Sequence, residues 1–422
     1  MSLVGIIYKI EHVCDLYWKY PVVVSFGIDK VRSLEFPAVT VCSLNRIYDF
    51  SNERTGDNPI HMPLIISEFR SLYHCRNGTE ERKKANDSSL KFLIHYYSKD
   101  VKQRYEMGIQ PSRFIKNCSF NNKICSTSDI TNFTNFRYGN CIIFNKQKRG
   151  KELLRTSQIG HGNGLILELN MFHKMYTKME HTLGLKVIIH HPMANPSAED
   201  DGFIVSPGFE TSVSLRQTIY RRLPKPYKDH CMNYGADKNN PVRNKNECIR
   251  RCIQVKNFEN CRCIDQSLGV MNNLRQCNFT DVTESCCIDA VLKDMSLRSS
   301  SCSCPLPCIS VNYNEIVSRA LLQWSEADET VNYNLDYLYE YVEPRFSSRE
   351  DTKGSLVILN IFYSTLERYI YEQKPQWQEA EIISYIGNEL GLWLGLSLVA
   401  IFELFEKLVL IIKYAVSKFL TP

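Results

Sequence analysis

Long basic stretches are missing from this chain, and with them the usual footprint of a nucleic-acid binder. Its 51 Lys and Arg stand against 46 Asp and Glu, a formal net charge of +5 over 422 residues. The clusters Glu81–Lys84, Lys146–Lys151 and Arg221–Lys228 are short and lie in turn-rich sequence, whereas nucleic acid requires basic residues gathered on one element. A phosphate-cradling glycine loop is missing too, as is any Ser/His/Asp arrangement, and His190-His191 is not followed by ligand-type residues. Catalysis and a resident cofactor are therefore not expected. No His lies between Cys248 and Cys308, and the ligand spacing of a zinc site recurs there only in part; that pattern favours disulfides over metal. Apolar runs of membrane length are scarce. Residues Met1 to Ile10 hold a short apolar patch, interrupted at Lys9 and followed by Glu11 and Asp15, which is neither a signal peptide nor a full span.

One long apolar run is present, Ile382 to Ile412, carrying Glu389, Glu403 and Glu406. A bilayer core needs about 20 apolar residues in a helix, and this run is long enough to cross with tilt. On a helix, Ser384, Gly387, Gly391, Gly395, Val399, Glu403 and Glu406 share one face. Glycines alone would suit an anchor packed on a neighbouring helix. Carboxylates at membrane depth cost about 3 kcal/mol and persist mainly where they face water or a partner. Glu403 and Glu406 on the small-residue face thus point to a water-lined cation path.

Seventeen cysteines are present, and apart from Cys14 all lie between Cys42 and Cys308. The same territory holds the glycosylation triplets headed by Asn77, Asn86, Asn117, Asn132 and Asn278. Both features place it in an oxidising compartment. Export of such a region requires a signal peptide or an earlier span. The simplest expectation is that the chain begins partway through a first membrane helix, which leaves through Tyr17-Trp18-Lys19-Tyr20-Pro21; Tyr and Trp collect at such interfaces. Lys413 and Lys418 in the short tail suit a cytoplasmic side. The resulting division is 1–16, remnant of the first membrane helix; 17–380, cysteine-rich extracellular domain; 381–412, second membrane helix; and 413–422, cytoplasmic tail.

With that topology the sequence resembles the degenerin/epithelial sodium channel family, nearest the pickpocket-like branch. The likeness is carried in order by Leu34-Glu-Phe-Pro-Ala-Val-Thr-Val-Cys-Ser-Leu-Asn45, Gly139-Asn-Cys141, Gly164-Leu-Ile-Leu-Glu-Leu-Asn170 and Gly184-Leu-Lys-Val-Ile-Ile-His190. Pro207-Gly208, Arg222-Leu-Pro-Lys-Pro-Tyr227 and Cys302-Ser-Cys-Pro-Leu-Pro-Cys308 follow. The most specific piece is Gly391-Leu-Trp-Leu-Gly-Leu-Ser-Leu-Val-Ala-Ile-Phe-Glu403.

The resemblance implies an α+β membrane protein: a disulfide-rich extracellular domain of palm β-sheet, β-ball, finger, thumb (about 231–324) and knuckle, with a C-terminal transmembrane pore helix and a truncated first one. It implies a homo- or hetero-trimer in the plasma membrane, multi-pass when complete, that passes sodium and is blocked by amiloride. The permeant sodium ion is the only small species implied, and an extracellular ligand is left open. Gly395-Leu396-Ser397 would form the belt where the helix breaks and carbonyls meet the ion. Glu403 and Glu406 would continue the path, Gly391 would contact amiloride, and Ser384 would hold the gating position. The implied pairs are Cys42–Cys141, Cys118–Cys125, Cys231–Cys308, Cys248–Cys304, Cys252–Cys302 and Cys263–Cys277, with Cys261 left between Cys286 and Cys287. Asn77, Asn86, Asn132 and Asn278 are the expected glycan sites; Asn117, beside a bridged cysteine, is the weakest.

Some features depart from the family pattern. Asn388 and Glu389 stand where relatives more often have Gly and a neutral polar residue; Glu389 reads either as an acid ring at an outer mouth or as a lone solvated acid. The amino-terminal His-Gly gating motif is not in this sequence. Two other readings stay open: a single-pass, cysteine-rich receptor or adhesion protein, and a non-conducting channel subunit. The acidic stretch Glu326 to Glu343 reads as a solvated face ahead of a proton-sensitive patch.

Overall fold

The computed structural model describes residues 2–44, 73–76, 79–82, 99–135, 138–148, 150–171, 183–196, 201–234, 242–271, 273–278, 281–297, 302–323, 356–395 and 397–420. Asn77, Asn86, Leu396 and the acidic stretch from Glu326 to Glu343 lie outside them. The chain forms two compact units. One gathers Met1–Gly27, Tyr220–Met232 and Ile370–Pro422; the other holds Ile28–Ile219 and Asn233–Tyr369.

In chain order the strands are β1 (Val22–Lys30), β2 (Leu34–Glu35), β3 (Ala38–Ser43), β4 (Tyr73–Arg76), β5 (Thr79–Arg82), β6 (Ile115–Phe120), β7 (Lys123–Ile124) and β8 (Ile130–Asn135). They continue as β9 (Gly139–Phe144), β10 (Arg155–Thr156), β11 (Leu165–Asn170), β12 (Leu185–His190), β13 (Phe203–Val205), β14 (Phe209–Arg221), β15 (Ile309–Leu321) and β16 (Leu356–Pro375). The helices used below are α1 (Ser2–Trp18), α2 (Val101–Met107), α3 (Lys245–Cys261), α4 (Val282–Leu297), α5 (Glu379–Leu394) and α6 (Leu398–Leu420).

The larger unit is built on two sheets. One has the order β15-β14-β16-β11-β6-β7, with β1 also on β16; the other runs β13-β12-β3-β9-β8. Leu165, Leu167 and Leu169 of β11 are buried and alternate with half-buried residues, the period of a strand with one covered face. Its antiparallel partner β16 sets Leu359 opposite Leu167 and Ile361 opposite Leu165. From Leu356 to Tyr363 that strand is buried almost without interruption, as an interior strand between β14 and β11 must be. Phe36 closes the core from β2's end, its ring 5.0 Å from Phe120, 6.0 Å from Tyr363 and 6.3 Å from Phe144.

Two glycine-led motifs have a local cause. Gly164 takes φ +143°, and a Cβ there would lie 2.2 Å from the Ile361 carbonyl oxygen, so the turn into β11 admits no side chain. In Gly139-Asn140-Cys141, the buried Asn140 amide donates to the carbonyls of Tyr105 at 2.8 Å and Ile109 at 3.1 Å. That fixes the exit of α2 to the edge of β9.

Cystines replace apolar packing where the sheets give way to α3 and α4. Cys248–Cys304, Cys252–Cys302, Cys261–Cys287 and Cys263–Cys277 surround these helices, and Cys42–Cys141 and Cys118–Cys125 lie in the sheets. Of the two partners open to Cys261, the structure takes Cys287, a correction to Cys286, which forms a disulfide of its own. Cys231 and Cys308 are each disulfide-bonded, and Cys14 is free. Cys263, Cys277 and Glu284 make up the only group of potential metal ligands among the described residues, and the two sulfurs there are bonded to each other.

Candidate functional site

The helical unit holds the residues singled out from the apolar segment, and it holds them on two helices. Four residues past Pro375, α5 starts with Glu379 and Glu381 in its first turn, where acids suit the positive end of the helix dipole. The Gln378 N–H donates to Glu381 Oε2 at 2.9 Å. After 16 residues α5 stops at Gly395, which takes the left-handed conformation (φ 66°, ψ 15°) and returns its N–H to the Gly391 carbonyl at 3.0 Å. This is the ordinary way a helix ends on glycine.

Ser397 then opens α6: its Oγ accepts the Ala400 N–H at 3.1 Å, as a serine N-cap does. A glycine stop and a serine start, two residues apart, interrupt what reads in sequence as one helix from 382 to 412. Among the described residues no helix is long and apolar enough to cross a membrane. At about 1.5 Å per residue, α5 spans roughly 24 Å, short of the roughly 30 Å hydrocarbon core. In α6 the acids Glu403 and Glu406 are joined by Lys407.

Ser384, Gly387 and Gly391 share one face of α5 by their spacing. Ser384, Gly391, Gly395, Ser397, Glu403 and Glu406 are all exposed in the single chain. So are Val399, Phe402, Leu404, Phe405, Leu408 and Ile411, each at least half exposed, and α6 therefore shows apolar side chains around its whole circumference. Glu389 departs from one of its expected roles. It is 9% exposed and accepts a 2.8 Å hydrogen bond from Trp393 Nε1 one turn on, so in the single chain it is not a lone solvated acid. Trp393 in turn lies against α1, its ring 3.4 Å from where a Gly5 Cβ would be.

Sequence reasoning missed the ties between the helix ends and the segment Tyr220–Met232. The Tyr20 ring meets Tyr227 edge-on at 5.6 Å, and the Gln376 N–H donates to the Pro21 carbonyl at 2.9 Å. Gln373 Oε1 accepts the Leu223 N–H at 3.0 Å while its Nε2 donates to Asp229. Tyr371 stacks on Tyr220 at 5.2 Å. The one advance signal was the aromatic cluster from Tyr17 to Tyr20 and the motif ending at Tyr227, without anything to pair them.

Among the other expected positions, Cys42 and Cys141 face each other across β3 and β9. Asn132 and Asn278 are exposed, as is Asn117. His190 is a structural residue: its Nδ1 donates to the His191 carbonyl at 3.0 Å and its Nε2 accepts from Thr40 Oγ1 at 2.8 Å. Burial holds its imidazole neutral, pushing the pKa down to about 4.

The amiloride-sensitive sodium channel family model matches residues 1–406. The chain belongs to that family. Human acid-sensing ion channel 2 is 28% identical to it, over 94% of this chain and 77% of the relative. Chicken acid-sensing ion channel 1 is 26% identical over 95% and 76%, and the chicken epithelial sodium channel subunit alpha 25% identical over 96% and 74%. A solved proton-activated chloride channel gives a TM-score of 0.34 at 7% identity, over 97% of this chain and 95% of that one, a likeness too slight to carry an argument. The family is one of ion channels and not of enzymes, and the disulfide-rich, β-rich unit is consistent with its extracellular domain.

Proposed function

We propose that the chain is a subunit of a trimeric, sodium-selective, amiloride-sensitive channel of the plasma membrane, with the larger unit extracellular. The observation that carries this reading is the interruption at Gly395–Ser397. Breaking a helix leaves the last carbonyls of one piece and the first N–H groups of the next without helical partners. At membrane depth such backbone is tolerated only in protein or along a water-filled cavity, and a ring of carbonyls can replace an ion's hydration shell. Three chains around one axis would make that ring.

Ser384 and Gly391 lie on the small-residue face of α5 leading to the interruption, and Glu403 and Glu406 on α6 beyond it. Acids there raise the local cation concentration. Apolar side chains exposed all around α6 suit a lipid and subunit environment. Amiloride would meet Gly391, where the absence of a side chain leaves room.

Voltage clamp of cells expressing the chain tests the reading. Sodium current blocked by amiloride is expected, and Ser397→Phe should shift the reversal potential between sodium and potassium solutions by crowding the carbonyls. Current from Ser397→Phe with an unmoved reversal potential would place the filter elsewhere. Surface protein that stays silent under every solution would leave the non-conducting subunit as the reading.

A further inference from the structure

We infer that the larger unit carries a binding site for a small polyanion, a molecule with two or more carboxylate or phosphate groups. The site is a cavity of about 760 Å³ between α2, the end of β8, α3 and the loop 266–271, a volume suited to a small ligand. Among the described residues four cationic side chains line it, Arg104, Lys146, Arg250 and Arg251, against one acid, Glu247.

That acid is already engaged. Glu247 is 3% exposed; its Oε2 accepts the Arg243 N–H at 2.9 Å, and its Oε1 lies 3.6 Å from Arg251 Nε. It stands against Arg251, and the described lining holds no second acid. Arg104, 5% exposed, is fixed on the opposite wall by the Lys99 carbonyl at 3.0 Å and Gln266 Oε1 at 3.3 Å.

The guanidinium groups of α3 are the unusual feature. The Nε atoms of Arg250 and Arg251 are both buried; that of Arg251 lies against Glu247, and that of Arg250 hydrogen-bonds to nothing among the described residues. A buried donor without an acceptor is costly, and here it belongs to the side chain best shaped to grip a forked oxyanion. Lys146 reaches the same space, its Nζ donating to Asn195 Oδ1 at 2.9 Å. Burial pulls its pKa down while Glu247 pulls it up, so a desolvated ammonium here would gain from an anion alongside. Neutral donors and acceptors such as Asn246, Ser267 and Gln276 complete the lining. Carboxylate and phosphate both meet this chemistry, and the geometry of the forked acceptor is what they share.

Equilibrium binding to the purified full-length chain tests the site without any current being recorded, so it stands or falls apart from the channel reading. The probes are citrate for carboxylates and inorganic pyrophosphate for phosphates, with triethyl citrate as the uncharged control. At least one anion should bind, and the ester should not; which anion binds tells carboxylate from phosphate. Arg250→Gln and Lys146→Gln should each weaken binding by about 10-fold or more, the size of one lost charge-assisted contact. Lys256→Gln, on α3 but outside the cavity and ion-paired with Glu259, should leave it unchanged. If Arg250→Gln fails to fold, Lys146→Gln decides alone. Absence of binding by both anions up to about 10 mM, or equal weakening by Lys256→Gln, overturns the site.

Discussion

The two units are stabilised by different means, and the contrast explains what each can do. In the larger unit the side chains that cover β11 and β16 come from the same unit: Leu165, Leu167, Leu169, Val357, Leu359 and Ile361 are at most 1% exposed. Where its helices cannot bury enough, cystines hold them. In the helical unit the reverse holds, with Phe402, Leu404, Phe405 and Ile411 of α6 between 63% and 72% exposed. Its internal ties are polar or aromatic: Gln373 to Leu223, Gln376 to Pro21, Tyr20 against Tyr227. A unit closed on its own apolar groups needs no further cover for them. One that leaves apolar surface uncovered suits the lipid and subunit environment proposed above, where single interactions would shift an equilibrium between arrangements.

Breaking the larger unit should therefore be easy at one point. Gly164→Ala puts a Cβ 2.2 Å from the Ile361 carbonyl oxygen at a φ of +143°. Strain and overpacking together should cost about 2–6 kcal/mol. The expected outcome is loss of surface protein and of the cooperative thermal transition of the purified chain. A variant that melts like the parent would show that β11 and β16 tolerate separation.

A second cut tests the cystines. Cys252→Ser and Cys302→Ser each remove the same bond between α3 and the chain after α4, worth about 2–5 kcal/mol. The two single variants and the double variant should show equal losses of delivery to the surface, because the second substitution removes nothing further. Additive losses would mean that each cysteine matters for itself. Thiol labelling of both cysteines in the unaltered chain would remove the pair altogether.

How much of this was legible depended on how local the cause was. The alternation Leu165/Leu167/Leu169 and the run Leu356 to Leu359 follow from strand periods, and the sheet bears them out. The family resemblance supplied an order of cysteines that composition alone cannot pair. Cys286 and Cys287 show the limit: neighbours on a helix point about 100° apart, and only the packing of α4, with Ile288 buried at 4% exposure, decides which one meets Cys261. The apolar run from 382 to 412 reads as one helix by hydropathy, because Gly395 and Ser397 are common in membrane helices, yet in sequence they are also a stop and a start. Gln373 with Leu223, 150 positions apart, has no periodic trace at all. Contacts of that kind come from the fold.

In the helical unit the expected effects are smaller in stability and larger in behaviour. Ser384 is exposed on the face that carries Gly387 and Gly391. In the proposed trimer three such serines approach, and bulk at that point costs about 1–3 kcal/mol per site. Summed over three chains this moves a closed-favouring equilibrium of a few kcal/mol towards open. Ser384→Phe should give a standing, amiloride-blocked sodium current with little change in surface protein, and Ser384→Ala should stay closed. Abundant, silent Ser384→Phe protein would count against the pore and against the contrast drawn between the units.

The smallest expected effect sharpens the contrast from the side of the larger unit, where burial extends to an acid. Glu315 on β15 is half-buried, and desolvation first, then Asp201, raises its pKa to about 7, while Lys186 opposes the shift. Lys186 is tied elsewhere, donating to the Gly202 carbonyl at 3.0 Å, which limits how far it can compensate. A carboxyl whose folded pKa is raised binds its proton more tightly in the folded state. Its contribution is intact below its ordinary value of 4.5, falls as pH rises through the interval up to about 7, and stays lost above it. Because the group keeps partial contact with solvent the loss is modest. Glu315→Gln removes the charge and with it that slope. Thermal melts of the purified chain should show the variant gaining a small advantage at pH 7.5 that vanishes at pH 5. An advantage of the same size at both pH values would mean that the amide stabilises by some other contact and that Glu315 titrates as an ordinary surface acid.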